Sequence, residues 1–190
     1  MKIGICSTHS TGKTTMATNI RNILSIPMIK EVARSSPLII NEEASPVQQL
    51  WIFSAMLQKE VEFDYRFDDF VCDRTLLDNY AYMAASLRAE DTDLIKNMVI
   101  AIGQFLASWI KTYDIIIYLA PDIPMVDDGV RSTDKEYQLV IDEVIKQLLD
   151  GIKYYKIEGE RREELMDYMY GLHTTEEFKN ALREEWIVNG

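Results

Sequence analysis

The spacing of hydrophobic positions changes several times along the chain, and each change marks an element. Residues 1–6 are a short apolar run that stops at a turn rich in Ser, Thr and Gly, which predicts a buried strand. From Lys13 the apolar residues Met16, Ile20, Ile23 and Leu24 recur at helical spacing, so a helix follows that turn directly. Ile26, Met28 and Ile29 predict a second strand, feeding Glu31-Val32-Ala33-Arg34. Ser45-Pro46 reads as an N-cap followed by proline at the first helical position, opening a helix over residues 46–61. Phe70-Val71-Cys72-Asp73 predicts a third strand that ends on a carboxylate. Helices fill residues 76–88 and 93–111, and a fourth strand over 114–120 is stopped by Pro121. Thr133-x-x-Glu136 reads as a capping box before the amphipathic run Val140, Ile141, Val144, Ile145, Leu148 and Leu149. Residues 154–157 predict a fifth strand, and Thr174-x-x-Glu177 opens a last helix reaching about residue 186. Strands alternate with helices throughout, with no repeat and no linker. The fold class is therefore α/β, with helices flanking a five-stranded, mostly parallel sheet, and residues 1–190 form one domain.

Composition narrows the function. The chain has 190 residues, 47% of them hydrophobic, enough to bury a full core. A formal net charge of −11 argues against a grip on nucleic acid through its phosphates, which needs a basic stripe. A small anion in a locally positive pocket stays open. Cys6 and Cys72 are the two cysteines and form no CxxC, which points to a reducing compartment and to neither a disulfide framework nor a zinc site. No stretch reads as a membrane span, because Gly103, Gln104 and Ser108 interrupt the longest apolar run. Only Ile3, Gly4, Ile5 and Cys6 separate Lys2 from the polar turn, so no leader is expected. The expected location is the cytoplasm.

The chemistry begins at Ser7-Thr8-His9-Ser10-Thr11-Gly12-Lys13-Thr14. The segment matches the phosphate-binding pattern G-x-x-x-x-G-K-[ST] except that Ser7 stands at the first glycine. A strand delivers the chain to a tight loop whose backbone N–H groups form an anion nest, and the following helix aims the positive end of its dipole there. His9, Ser10, Thr11, Gly12, Lys13, Thr14 and Thr15 are the candidate triphosphate-binding residues. Lys13 carries the charge for the β- and γ-phosphates, and the Thr14 hydroxyl is placed to ligate Mg²⁺. A triphosphate loop leaves its use open. No Asn-Lys-x-Asp reads guanine and no Asp-x-x-Gly follows a strand, which argues against a GTPase switch. Asp73 is followed by Arg74, where a hydrolytic motor carries a water-polarising Glu. That pair suits phosphoryl transfer to a bound small molecule.

The segments Ser10-Thr11-Gly12-Lys13-Thr14-Thr15, Glu31-Val32-Ala33-Arg34 and the run from Pro121 through Asp127-Asp128-Gly129-Val130-Arg131 occur in the order seen in P-loop kinases related to the ribosylnicotinamide kinase domain of the bifunctional NAD-biosynthesis protein. Asp73-Arg74-Thr75-Leu76-Leu77-Asp78-Asn79-Tyr80 resembles the broader thymidylate-kinase-like and deoxynucleoside-kinase-like group, which includes ATP-binding proteins of phages. The resemblance implies a three-layer P-loop NTPase fold, ATP and Mg²⁺ as cofactors, and transfer to a small-molecule nucleoside or nucleotide. It implies host cytoplasm if the chain is phage-encoded. A kinase of a modified base in phage DNA, of the hydroxymethyluracil type, and a regulatory ATPase without an acceptor are the alternatives. The oligomeric state stays open, a homodimer included.

Roles follow for named residues. Asp73, at a strand's carboxyl end, is the candidate metal ligand with Thr14 and shares the catalytic work with Lys13 and Glu31. Glu31, Arg34, Arg74 and Asp78 are the candidate acceptor-binding residues, with Asp78 equally placed for an i,i+4 pair with Arg74. Arg161 follows the fifth strand with Arg162, where the resembling kinases cover the adenine. Gln48, Trp51, Phe53, Tyr65, Tyr80 and Tyr82 are candidates for a base-stacking wall. Residues 122–136 read as a short lid: Pro121 and Pro124 end the strand, Gly129 turns, and Arg131 supplies the second catalytic cation.

Overall fold

The computed structural model describes residues 1–38, 43–123, 134–172, 174, 176–178, 180 and 182. Five strands build one sheet: β1 (Lys2–Cys6), β2 (Met28–Ile29), β3 (Phe70–Asp73), β4 (Ile115–Leu119) and β5 (Tyr155–Ile157). Their order is β2-β3-β1-β4-β5 and every pairing is parallel, so "mostly parallel" becomes wholly parallel. Register places Ile5 beside Asp73 and beside Ile117, which brings the carboxyl ends of β1, β3 and β4 to one edge. The apolar runs of β1, β3 and β4 are buried on both faces, as a parallel sheet covered on both sides requires.

Helices α1 (Lys13–Leu24) and α6 (Arg161–Met169) cover one face, around Ile3, Ile5, Ile20, Val71 and Leu165. Helices α2 (Pro46–Arg66), α3 (Leu76–Ala85), α4 (Asp93–Trp109) and α5 (Lys135–Leu149) cover the other, around Phe53, Met56, Leu76, Leu106 and Ile141. Each such buried aliphatic or aromatic side chain contributes roughly 1.5–3 kcal/mol. Gly4 lets α3 approach the central strand: a Cβ there would lie 2.7 Å from Thr75 Cγ2 and 2.9 Å from the Tyr113 ring. The segment following Asp73 is thereby held against β1.

The expected elements form within a few residues at their ends, the last helix excepted: of it the structure describes only residues 176–178, 180 and 182, and the rest lies outside the described residues. Further differences are these. Helix α2 runs on to Arg66, its start fixed by the Ser45–Gln48 capping box. The cap of α5 is Asp134, which accepts from the Glu136 and Tyr137 N–H groups; Thr133 lies outside the described residues. A 3₁₀ turn over Ala33–Ser35 and the helix α6 were not expected, because each buries too few apolar side chains to show a period. Finally, Asp93–Thr112 is, by length and composition, long and apolar enough to cross a membrane, contrary to the expectation that no stretch is. Its Val99, Leu106 and Ile110 pack into the core, while Leu94 and Ile100 are exposed. Thr174 and Glu177 exchange the two bonds of the expected capping box.

Candidate active site

The loop between β1 and α1 is held in shape before any ligand arrives. Ser10 (φ 57°) and Gly12 (φ 83°) both adopt left-handed backbone, alternate residues as an anion nest requires. Ser7 does not, which explains how serine replaces the usual glycine: its hydroxyl donates to the Leu119 carbonyl at the end of β4, and its N–H donates to Asp78 Oδ1 at 2.6 Å. Lys13 is 5% exposed, and its ammonium donates to the Thr8 carbonyl and, at 3.1 Å, to the Thr11 hydroxyl. The cation thus sits inside the loop it is expected to share with a phosphate.

Residues 10–14 of the loop, with Glu31, Asp73 and Arg74, line a small cavity of about 70 Å³. Asp73 is 3% exposed, and its Oδ1 has no hydrogen-bond partner. Burial pushes its carboxyl above the usual carboxylate range, opposed by a hydrogen bond from Thr14 and by the charge of Arg74. A buried carboxylate oxygen without a donor, beside a threonine hydroxyl, is a hard-oxygen pair that fits Mg²⁺. Among the described residues no cluster of His, Cys, Asp and Glu offers a rival metal site.

Arg74 closes the cavity's far side. Its backbone is left-handed (φ 93°), a conformation that costs an arginine on the order of 1–3 kcal/mol and that its side-chain contacts must hold. Nε donates to Glu31 Oε1 at 2.5 Å, and the guanidinium lies 5.7 Å from the centre of the Tyr82 ring. Burial opposes the Arg74 charge, but Glu31 and the neighbouring anions outweigh it and hold its proton more firmly than usual. Arg34 approaches the other Glu31 oxygen at 3.4 Å while remaining about half exposed. Glu31, Arg34, Arg74 and Asp73 therefore do meet beside Lys13 and Thr14.

Two expected residues turn away from the cavity, and a third does not line it. Asp78 does not face the cavity. It is fully buried; Oδ1 accepts from Ser7 and Oδ2 from the Thr75 N–H and hydroxyl at 2.7 and 3.2 Å, so it ties the loop to the start of α3. His9 turns away from the nest: its N–H and Nδ1 each lie 2.9 Å from the Tyr82 hydroxyl, and its ring stacks near Tyr137. Arg161 is not among the residues lining either loop-side cavity. Its neighbour Arg162 is, and donates to the Thr11 carbonyl at 2.8 Å, the Ala120 carbonyl at 2.5 Å and the Asp122 carboxylate. Arg131 and most of the expected lid, residues 124–133, lie outside the described residues.

A second cavity, of about 400 Å³, opens on the other side of the loop between α1 and α6. Thr15 and Gly12 line it, with Met16, Asn19, Ile123, Arg162 and Met166. Its size suits a nucleoside, and it touches the triphosphate loop at Thr11 and Gly12. The expected aromatic wall is mostly structure: Phe53 is core, Gln48 completes the cap of α2, Tyr80 packs on Gly103, and Tyr65 is 91% exposed. Sequence reasoning missed Gln138, whose amide donates to the His9 carbonyl at 2.9 Å from the first turn of α5. No feature of the sequence signals it, because its partner is a backbone carbonyl.

A family model described as an AAA domain matches residues 2–164. Among solved structures, deoxyadenosine kinase from M. mycoides with bound dATP superposes with a TM-score of 0.61 at 18% identity, over 97% of this chain and 100% of that one. The NadR protein in complex with NAD and AMP-PNP gives 0.66 at 15% identity, over 90% of this chain and 49% of that one, so the chain spans about half of NadR. The YorR protein from Bacillus subtilis, in complex with phosphorylated GDP, gives 0.52 at 15% identity, over 96% of this chain and 97% of that one. At such identities the likeness is one of fold, and the fold is that of the P-loop NTPases. No curated protein matches the sequence.

Proposed function

The chain belongs to a family of AAA domains, and from that premise we propose that it is an ATP- and Mg²⁺-dependent phosphotransferase acting on a nucleoside or nucleotide. One observation carries the reading: a single small cavity gathers the loop lysine, an unpartnered carboxylate oxygen, and an arginine–glutamate pair reaching in from the β2 side. A hydrolytic motor carries a water-polarising Glu directly after that strand-ending carboxylate. This chain has Arg74 there, paired with Glu31.

The roles divide by position. The nest and Lys13 hold the β- and γ-phosphates and offset the charge that shifts toward the leaving oxygen. Thr14 and Asp73 would hold Mg²⁺, which supplies further neutralisation of the phosphate oxygens when bound. The donor's nucleoside occupies the cavity between α1 and α6. The acceptor hydroxyl attacks the γ-phosphorus from the side of Glu31, which orients it and takes its proton as the bond to the β–γ bridging oxygen breaks and ADP leaves. Arg74 and Arg34 fix Glu31 and the acceptor, and Arg131 is the second cation assigned to the transferred group. The acidic surface favours a small acceptor over nucleic acid.

A thermal-shift screen of nucleosides and nucleoside monophosphates, run with AMP-PNP and Mg²⁺, tests the reading. At least one acceptor should raise the midpoint above that with AMP-PNP and Mg²⁺ alone, by mass action on a second site. No acceptor effect across the panel, with clear stabilisation by AMP-PNP, would leave a nucleotide-binding protein without an acceptor and refute the transferase.

A further inference from the structure

We propose that Arg162 and Gln138 are positioning residues that set the anion-binding face of the phosphate loop by holding two of its carbonyls outward. The proposal deepens the reading of this loop as a triphosphate site and rests on it.

Peptide geometry links each carbonyl to the next N–H group. A trans peptide fixes its C=O and N–H antiparallel, and no peptide among the described residues is cis. Arg162 Nη1 donates to the Thr11 carbonyl at 2.8 Å, so the same peptide plane sends the Gly12 N–H the opposite way. Gln138 Nε2 donates to the His9 carbonyl at 2.9 Å, and the Ser10 N–H is turned in the same manner. The two N–H groups so directed belong to Ser10 and Gly12, the left-handed residues of the nest. The N–H groups of Ser7 and His9 are taken elsewhere, by Asp78 and by the Tyr82 hydroxyl.

Neither anchor is an incidental surface contact. Gln138 is 3% exposed, and nothing in the helix pattern of α5 asks for a buried amide there. Arg162 sits in a ring of acceptors: the Thr11 and Ala120 carbonyls and the Asp122 carboxylate, which also accepts from the Gly159 N–H. The fork geometry of a guanidinium reaches Thr11 and Ala120 together, which an ammonium cannot copy. The anchors come from two different helices, α5 and α6, each following a strand at the β4–β5 side of the sheet. The loop's preorganisation for phosphate thus depends on residues more than a hundred positions away in sequence, and on donors that never touch the anion.

The test uses the full chain and two probes, MgATP and magnesium tripolyphosphate, with the variants Arg162→Lys and Gln138→Met. Each should weaken both probes by about tenfold, the size expected when one directed hydrogen bond stops preorganising a donor. Because tripolyphosphate has no nucleoside, an equal loss for both probes separates loop geometry from a base contact by Arg162. A merely structural role is separated by amide resonances in ¹⁵N-labelled protein. The probe-induced shift of Gly12 should shrink in Arg162→Lys while that of Ser10 persists, and the pattern should reverse in Gln138→Met. Should Gln138→Met not fold, the Arg162→Lys arm alone decides, since that side chain is partly exposed. Wild-type affinity for tripolyphosphate in the variants, or equal loss of both shifts in each, would overturn the proposal while leaving the transferase reading intact. Tight tripolyphosphate binding without transfer to any acceptor would do the opposite. No binding of either probe by the wild type would overturn both.

Discussion

Charged side chains are buried at both ends of the central strand, and the two ends treat them differently. At the amino end, Lys2 contacts Glu60 at 2.7 Å, Asp64 at 3.3 Å and the Thr112 hydroxyl at 3.0 Å. Glu60 also accepts from Trp109 Nε1 at 2.8 Å and from the Tyr113 hydroxyl at 2.6 Å, and the ammonium lies over both of those rings. The network is complete. At the carboxyl end, Lys13 leans on its own loop, Asp73 Oδ1 has no donor, and Ser10 and Arg74 hold left-handed backbone. On the proposed function, an added anion and cation would complete that end. A buried charge by itself therefore does not mark a site, whereas an unfinished one beside a cavity at the strands' carboxyl ends does.

Four changes press on this contrast. Lys13→Ala should lower phosphoryl transfer by roughly 10³-fold or more while the thermal midpoint stays near wild type, because its charge is needed only once phosphate is bound. Steady-state rates and a melting curve on one preparation check both halves. Glu60→Ala should do the reverse: it leaves Lys2 with only the partly exposed Asp64 as counter-charge, takes the acceptor from Trp109 and Tyr113, and costs about 3–5 kcal/mol in urea unfolding, while the folded fraction keeps its MgATP affinity. A loss of affinity there would mean the two ends are coupled.

Asp73→Asn should lower Mg²⁺-dependent transfer by about 10²-fold yet raise the stability of the ligand-free protein at neutral pH. The sign follows from its carboxyl, which burial holds above the ordinary range. The folded chain then binds that proton more tightly than the unfolded chain, so wild-type stability falls as pH climbs through the carboxylate range. Asp73→Asn removes that part of the slope, which urea titrations at stepped pH would resolve. Asp122→Asn should have the smallest effect, under about 1 kcal/mol, since its pair with Arg162 is partly exposed. Burial opposes the Asp122 charge, but the Gly159 N–H and Arg162 outweigh it and hold the carboxyl below its usual range. Its contribution is therefore present at neutral pH and fades as pH falls through that lowered range.

What the sequence made legible follows the same division. Strands β1, β3 and β4 and helices α1, α2 and α5 carry enough apolar residues at fixed spacing to announce themselves, and the loop announces itself through Gly12-Lys13-Thr14. Asp73 and Glu31 were placed by the ends of strands, which parallel topology brings to one edge. The side chains of Asp78 and His9 turn away from the cavity, because proximity in sequence says nothing about which way a side chain turns. Asp78 faces back to Ser7, and after the fifth strand it is Arg162 that reaches the loop. Gln138 was invisible for a different reason: its partner is a backbone carbonyl, and carbonyls leave no trace in a sequence.

The central claim is that this loop delivers a phosphoryl group to a bound acceptor and not to water. The most direct measurement follows γ-labelled ATP with Mg²⁺ against a panel of nucleosides and nucleoside monophosphates, separating labelled acceptor from labelled inorganic phosphate. The account predicts labelled acceptor with at least one member of the panel, lost in Lys13→Ala, and little inorganic phosphate when no acceptor is present. Release of inorganic phosphate at one rate with every acceptor and with none would contradict it.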